Sequence, residues 1–104
     1  MSARHARALS SLAVVFGQWG KLTEAGALHR ELLDRAPHAY VPSSYLALTA
    51  EAAGRHEEAM AFARRAWDAR EPPFILHARH LPEFRALRAD PRFAEILTEM
   101  NEPQ

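Results

Sequence analysis

The chain has no cysteine. Without thiols it has no disulfide framework, no thiolate nucleophile and no thiolate metal site. Such a composition suits a reducing cytoplasm, which is the expected location. An excess of charge of either sign is also missing, since 13 basic and 13 acidic residues cancel. Nucleic-acid binders carry a basic excess or stripe, and anionic membranes attract polybasic segments, so neither partner is expected. No apolar run approaches the roughly 20 residues that cross a bilayer. "MSARHARALSSLAVVFG" has the basic-then-apolar order of a secretory leader, but Ser10 and Ser11 interrupt it and the segment fits the repeat described next. Four scattered glycines form no phosphate-cradling loop.

The 104 residues, 48% hydrophobic and 25% charged, are enough for one folded domain with a modest core. Their order is repetitive. "QWGKLTEAGALHRELL" and "AAGRHEEAMAFARRAW" begin at 18 and 52, and Gly20 and Gly54 are separated by 34 positions. At that offset Ser10 lies over Ser44, Leu12 over Leu46, Ala13 over Ala47, Glu24 over Glu58 and Ala25 over Ala59. A period of about 20–50 residues is the mark of a solenoid, in which units that cannot bury their own apolar face stack on one another.

Periodicity predicts the elements. Leu9, Leu12, Ala13, Phe16 and Trp19 recur at helical spacing, as do Leu22, Ala25, Leu28 or His29, and Leu32. Gly20 falls where the first helix can end in a left-handed residue, and Pro37 closes the second. The second unit repeats this with Pro42 near its start, a break at Gly54, and Pro72-Pro73 at its end. Ala13 and Ala47 are expected to face Ala25 and Ala59, small side chains that let antiparallel axes approach closely.

Leu12-Ala13, Phe16, Gly20, Leu22, Ala25, Leu32 and Pro37, repeated as Leu46-Ala47, Gly54, Ala59, Ala66 and Pro72, resemble the tetratricopeptide repeat. Ser43, Ala50 and His56 depart from its pattern. The resemblance implies an all-α fold: antiparallel helix pairs stacked as a short right-handed solenoid with a helical cap. One domain would span 1–104, with repeat 1 about 6–39, repeat 2 about 40–72 and capping helices about 73–101. The last segment leaves the 34-residue pattern, although Asp90 as N-cap and Pro91 as first helical residue announce a helix with Phe93, Ile96, Leu97 and Met100 on its buried face. "LRADPRFAEIL" is similar to the close of many bacterial tetratricopeptide domains, which implies the C-terminal regulatory part of a signalling protein as one alternative.

Catalytic constellations are not found. The serines lack a nucleophile elbow or a base, and Glu57-Glu58 sits in a first helical turn, where the helix dipole favours acids. His77 and His80 form an i, i+3 pair for which Glu83 or His38 would have to complete a metal site; half-exposed histidines are the plainer reading, and neither metal nor cofactor is expected. Trp67 reads as packing, whereas Trp19 reads either as a cover for the open end of the first helix or as part of an interface.

What the family resemblance implies is a non-enzymatic interaction module that binds a protein or peptide along its concave side. Its positions, carried over one by one, are Arg7, Ser10, Val14 and Gln18, then Val41, Ser44, Leu48, Glu51 and Ala52. Chaperone-tail binding by a carboxylate clamp is not implied, since Asn101 and Lys21 are the sole asparagine and lysine. Self-association through the first helix, by way of Trp19, Val15 and Phe16, is the alternative.

Overall fold

A computed structural model describes residues 3–37 and 41–101. The described residues are helical, with no strand among them. Helix α1 covers Ala3–Gln18, α2 Leu22–Arg35, α3 Ser43–Ala52, α4 His56–Asp68 and α5 Pro72–His77. A 3₁₀ turn, Pro82–Phe84, leads into the short α6 (Arg85–Arg88), and α7 (Pro91–Asn101) closes the chain.

The turns explain the pairing. Gly20 (φ 75°) follows α1, and beyond it the Lys21 N–H reaches back to the Phe16 carbonyl at 2.8 Å while the Gly20 N–H meets Gly17 at 3.1 Å. Gly54 (φ 81°) repeats both bonds, Arg55 to Ala50 at 2.9 Å and Gly54 to Glu51 at 3.0 Å. These paired bonds satisfy carbonyls that a helix end leaves open, and they require a left-handed residue, which glycine adopts cheaply. The same motif closes α4 as well, with Arg70 (φ 53°) in the left-handed position and Glu71 bonded to Ala66 at 3.0 Å. Each turn is so short that the next helix runs back along the one before it: α2 packs on α1 and α4 on α3.

Between the pairs, α3 lies against both α1 and α2, and α4 supports α5 and α7. Small residues make this possible. Ala13, Ala25, Ala47 and Ala59 are all fully buried, as expected, with Ala13 and Ala25 in one cluster and Ala47 and Ala59 in another. Gly17 serves the same end: a Cβ there would lie 2.9 Å from the Ala52 carbonyl oxygen of α3. Larger side chains take over at the far end, where Phe74, Phe84 and Phe93 are buried with ring centroids 5.8–6.2 Å apart. Edge-to-face and tilted arrangements of this kind add to the area the rings bury.

The expected N-cap at Asp90 is present, its Oδ1 accepting the Arg92 N–H at 2.7 Å. Helices α2, α4 and α7 begin at Leu22, His56 and Pro91, intervals of 34 and 35 residues, so the last segment departs from the strict 34-residue spacing, with α5, the 3₁₀ turn and α6 as short pieces before α7. Pro42, expected near the start of the second unit's first helix, is the N-cap of α3. The repeat boundary at 39–40 lies outside the described residues.

Candidate functional site: a groove across three segments

The α3 helix begins without a side-chain cap of its own. Glu71 supplies one from the end of the same unit. Its carboxylate, 9% exposed, accepts the N–H of Ser43 at 3.0 Å and of Ser44 at 3.2 Å. An anion at a helix N-terminus is favoured by the dipole and by the unpaired amides there. Fixing α3 in this way sets the position of Leu48, Glu51 and Ala52 at its other end.

Those residues form the middle of a groove of about 560 Å³. Val14, Gly17 and Gln18 of α1 line one side, with Leu22 at the start of α2. The opposite side is built by Pro82, Glu83, Arg85 and Ala86, from the 3₁₀ turn and α6. Apolar side chains make most of the lining, and Gln18, Glu51, Glu83 and Arg85 add polar groups to it. Ligand pockets typically have about 300–1,000 Å³ and this same mixture of apolar lining with a few polar groups.

Glu51 of that lining is held by a chain of charges. Nδ1 of His56 lies 2.5 Å from Glu51 Oε1, and its Nε2 2.5 Å from Asp90 Oδ2. The hydrogen bond to Asp90, then that to Glu51, raises the His56 pKa above its ordinary value. Asp90 is in turn held well below the usual carboxylate range, first by Arg92 and then by His56. Arg92 also grips Glu57 with two bonds of 2.7 and 2.8 Å, lowering the pKa of that carboxyl. A fork of two such bonds orients better than a point charge. The ends of α3, α4 and α7 are thereby joined beside the groove.

A second polar group lies inside the fold. His29 of α2, 2% exposed, sets Nδ1 2.6 Å from Thr49 Oγ1 of α3 and Nε2 2.9 Å from Glu58 Oε1 of α4. A carboxylate only accepts, so Nε2 carries the proton given to Glu58. That bond, with a smaller contribution from Arg55, lowers the Glu58 pKa. Phe62 meets the imidazole edge-on at a centroid distance of 6.3 Å. One ring thus pins three helices together.

Of the residues expected on the concave side, the groove gathers Val14, Gln18, Leu48, Glu51 and Ala52. Arg7 is exposed and Val41 half-buried, and neither lines it. Ser10 and Ser44 are 1% and 0% exposed, so they are core positions rather than binding surface. The Ser10 hydroxyl donates to the Arg7 carbonyl at 2.8 Å, and Ser44 Oγ has no partner among the described residues. Trp19 stands 73% exposed, with Lys21 Nζ at 6.0 Å from the centre of its ring, and does not line the groove. Trp67 is packed, as expected, with the Arg70 guanidinium 3.6 Å over its ring.

His77 ends α5 and His80 follows in the turn, so they share no helix face. His38 lies outside the described residues, and no group of three or more metal-ligating side chains occurs among the described ones. No helix there is long and apolar enough to cross a membrane. Pro82, Glu83, Arg85 and Ala86 were missed as lining residues, since the 3₁₀ turn and short α6 that present them lie outside the two repeat units. No protein-family model matches the chain, and no curated protein or solved structure is significantly similar to it.

Proposed function

We propose that this chain is a short solenoid of tetratricopeptide-like helix pairs and acts without catalysis, holding a protein segment in the groove between α1, α3 and α6. The observation that carries the reading is the groove itself, which brings Val14, Gln18, Leu48 and Glu51 together with Pro82–Ala86. Three helix ends closed by the same left-handed turn, and second helices that recur every 34 or 35 residues, support the solenoid. A mostly apolar lining with Gln18, Glu51, Glu83 and Arg85 fits an extended peptide or one face of a helix, whose apolar side chains meet the lining while its polar groups meet those four residues. Both acids and a base stand among them, so the segment carries charges of both signs.

Peptide selection from a displayed random library tests this. Peptides enriched on the wild type should lose binding to Gln18→Arg/Ala86→Glu, which fills the groove from two exposed positions, and retain it on Trp19→Ala, outside the groove. Glu51 is left untouched because its bond to His56 is structural. Selection without enrichment, or peptides that bind the filled groove equally well, would refute the reading.

A further inference from the structure

The repeat makes a direct comparison possible between α1 and α3. Leu12 and Val15 hold the places in α1 that Leu46 and Thr49 hold in α3, 34 residues on. In α3 these places are covered by the preceding helix pair: Leu46 is 3% exposed and Thr49 0%. In α1 the same places are open, with Leu12 45% and Val15 42% exposed. Ala8, and Trp19 just beyond the end of α1, are exposed too and extend the strip at helical spacing.

Charge is absent from this strip. Between Arg7 and Lys21 α1 has no charged residue at all. Elsewhere the outward faces are well charged, by Glu24, Arg30 and Asp34 on α2, and by Arg64, Arg65 and Asp68 on α4. A solvated helix face normally carries such residues, and a covered one does not.

The spacing and sizes identify what covers it. Ala8, Leu12, Val15 and Trp19 follow steps of four, three and four residues, the narrow a/d seam of two helices packed as a coiled coil. Turning the seam end for end about a point between residues 13 and 14 sets Ala8 against Trp19 and Leu12 against Val15. The smallest side chain then meets the largest, and the middle pair is matched. A seam complementary to its own inverse is what a two-fold interface requires. A further helix pair like α1–α2 fits less well, since the Thr49 hydroxyl hydrogen-bonded to His29 Nδ1 is replaced at the corresponding place by Val15.

We infer that α1 pairs antiparallel with α1 of a second copy of this chain, through Ala8, Leu12, Val15 and Trp19, to form a two-fold dimer that leaves both grooves open. A seam of one helix per copy buries less than the roughly 1,200–2,000 Å² of stable complexes. The dimer is therefore a weak one that dissociates in the micromolar range.

Sedimentation equilibrium over roughly a hundredfold range of concentration reads this out, since self-association follows mass action. Wild type should pass from monomer to dimer and go no further. Val15→Glu and Leu12→Glu, both at open positions, should raise the dissociation constant at least about tenfold, the effect of one buried unpaired charge, with helical circular dichroism unchanged. Gln18→Arg, on the groove side, should dimerise like wild type. The cysteine-free background allows a register test that does not depend on the variants folding alike: Leu12→Cys protein mixed with Val15→Cys protein should cross-link on oxidation faster than either alone. Wild type that stays monomeric throughout would overturn the inference and leave the strip to a foreign helix. Dimers indifferent to both glutamates, preferential 12–12 or 15–15 cross-links, or growth into longer chains would overturn it equally.

Discussion

His56 and Asp90, 34 residues apart, are joined Nε2 to Oδ2 at 2.5 Å, and this contact fastens the start of α4 to the N-cap of α7. Its pH dependence has a definite sign. The folded pKa of His56 is raised, so its contribution is complete below the unfolded value of about 6.5 and is lost as pH rises through the higher folded value. Asp90, Glu57 and Glu58 have lowered pKa values, and their contributions, present above about pH 4, are lost as pH falls. The melting temperature should therefore peak near roughly pH 5–6.5. His56→Gln should flatten the fall on the alkaline side and leave the acid side largely as it was; an unchanged alkaline limb would remove His56 as its source.

Glu71→Ala deprives two buried amides of their acceptor. The expected cost is about 1–3 kcal/mol, the penalty for unpaired buried donors. Urea unfolding followed by circular dichroism measures it.

His29→Leu keeps an apolar side chain near the volume of the ring but abandons Thr49 and Glu58. A loss of about 1–3 kcal/mol is expected, limited because Thr49 keeps its bond to the Leu46 carbonyl at 3.2 Å and Glu58 can turn to water. In a double-mutant cycle with Thr49→Val the two losses should be less than additive, because both substitutions break the same His29–Thr49 bond. Additive losses in that double mutant would argue against the pairing.

Two glycines inside helices should respond with opposite sign. A Cβ at Gly17 strikes the Ala52 backbone, so Gly17→Ala should destabilise by about 1–3 kcal/mol as α1 and α3 are forced apart. At Gly26 a Cβ meets nothing within 4 Å, and Gly26→Ala should stabilise by about 0.5–1 kcal/mol through helix propensity alone. Thermal melts of the two variants side by side decide both.

Backbone chemistry was the legible part of this sequence. Gly20 and Gly54 announce left-handed turns, Asp90-Pro91 announces a helix start, and all are found so. The turn at Arg70 was hidden because a non-glycine residue occupies its left-handed position. Long-range polar contacts were hidden for a different reason. His29 sits on an apolar stripe where Leu28 was an equal candidate, and its partners are 20 and 29 residues away. Glu71 reads as an ordinary acid beside prolines until α3 is brought to it. Concave-side positions taken from a repeat pattern located the groove's centre at Leu48 and Glu51. They failed at Ser10 and Ser44, where packing between first helices buries the positions.

The carboxylate of Glu71 also links the first turn of α3 to the N-cap of α5, so a single side chain ties both ends of a 29-residue stretch into a ring without a covalent bond. Neither end of that stretch can fray while the tie holds, as the terminal turns of most helices do. Amide hydrogen exchange in α3 and at the junction of α4 with α5 is then governed by one shared opening event, and protection there should rise or fall as a block. Helix α1 lies outside that ring, packed on α2 and α3, and its exchange is not bound to the same opening event.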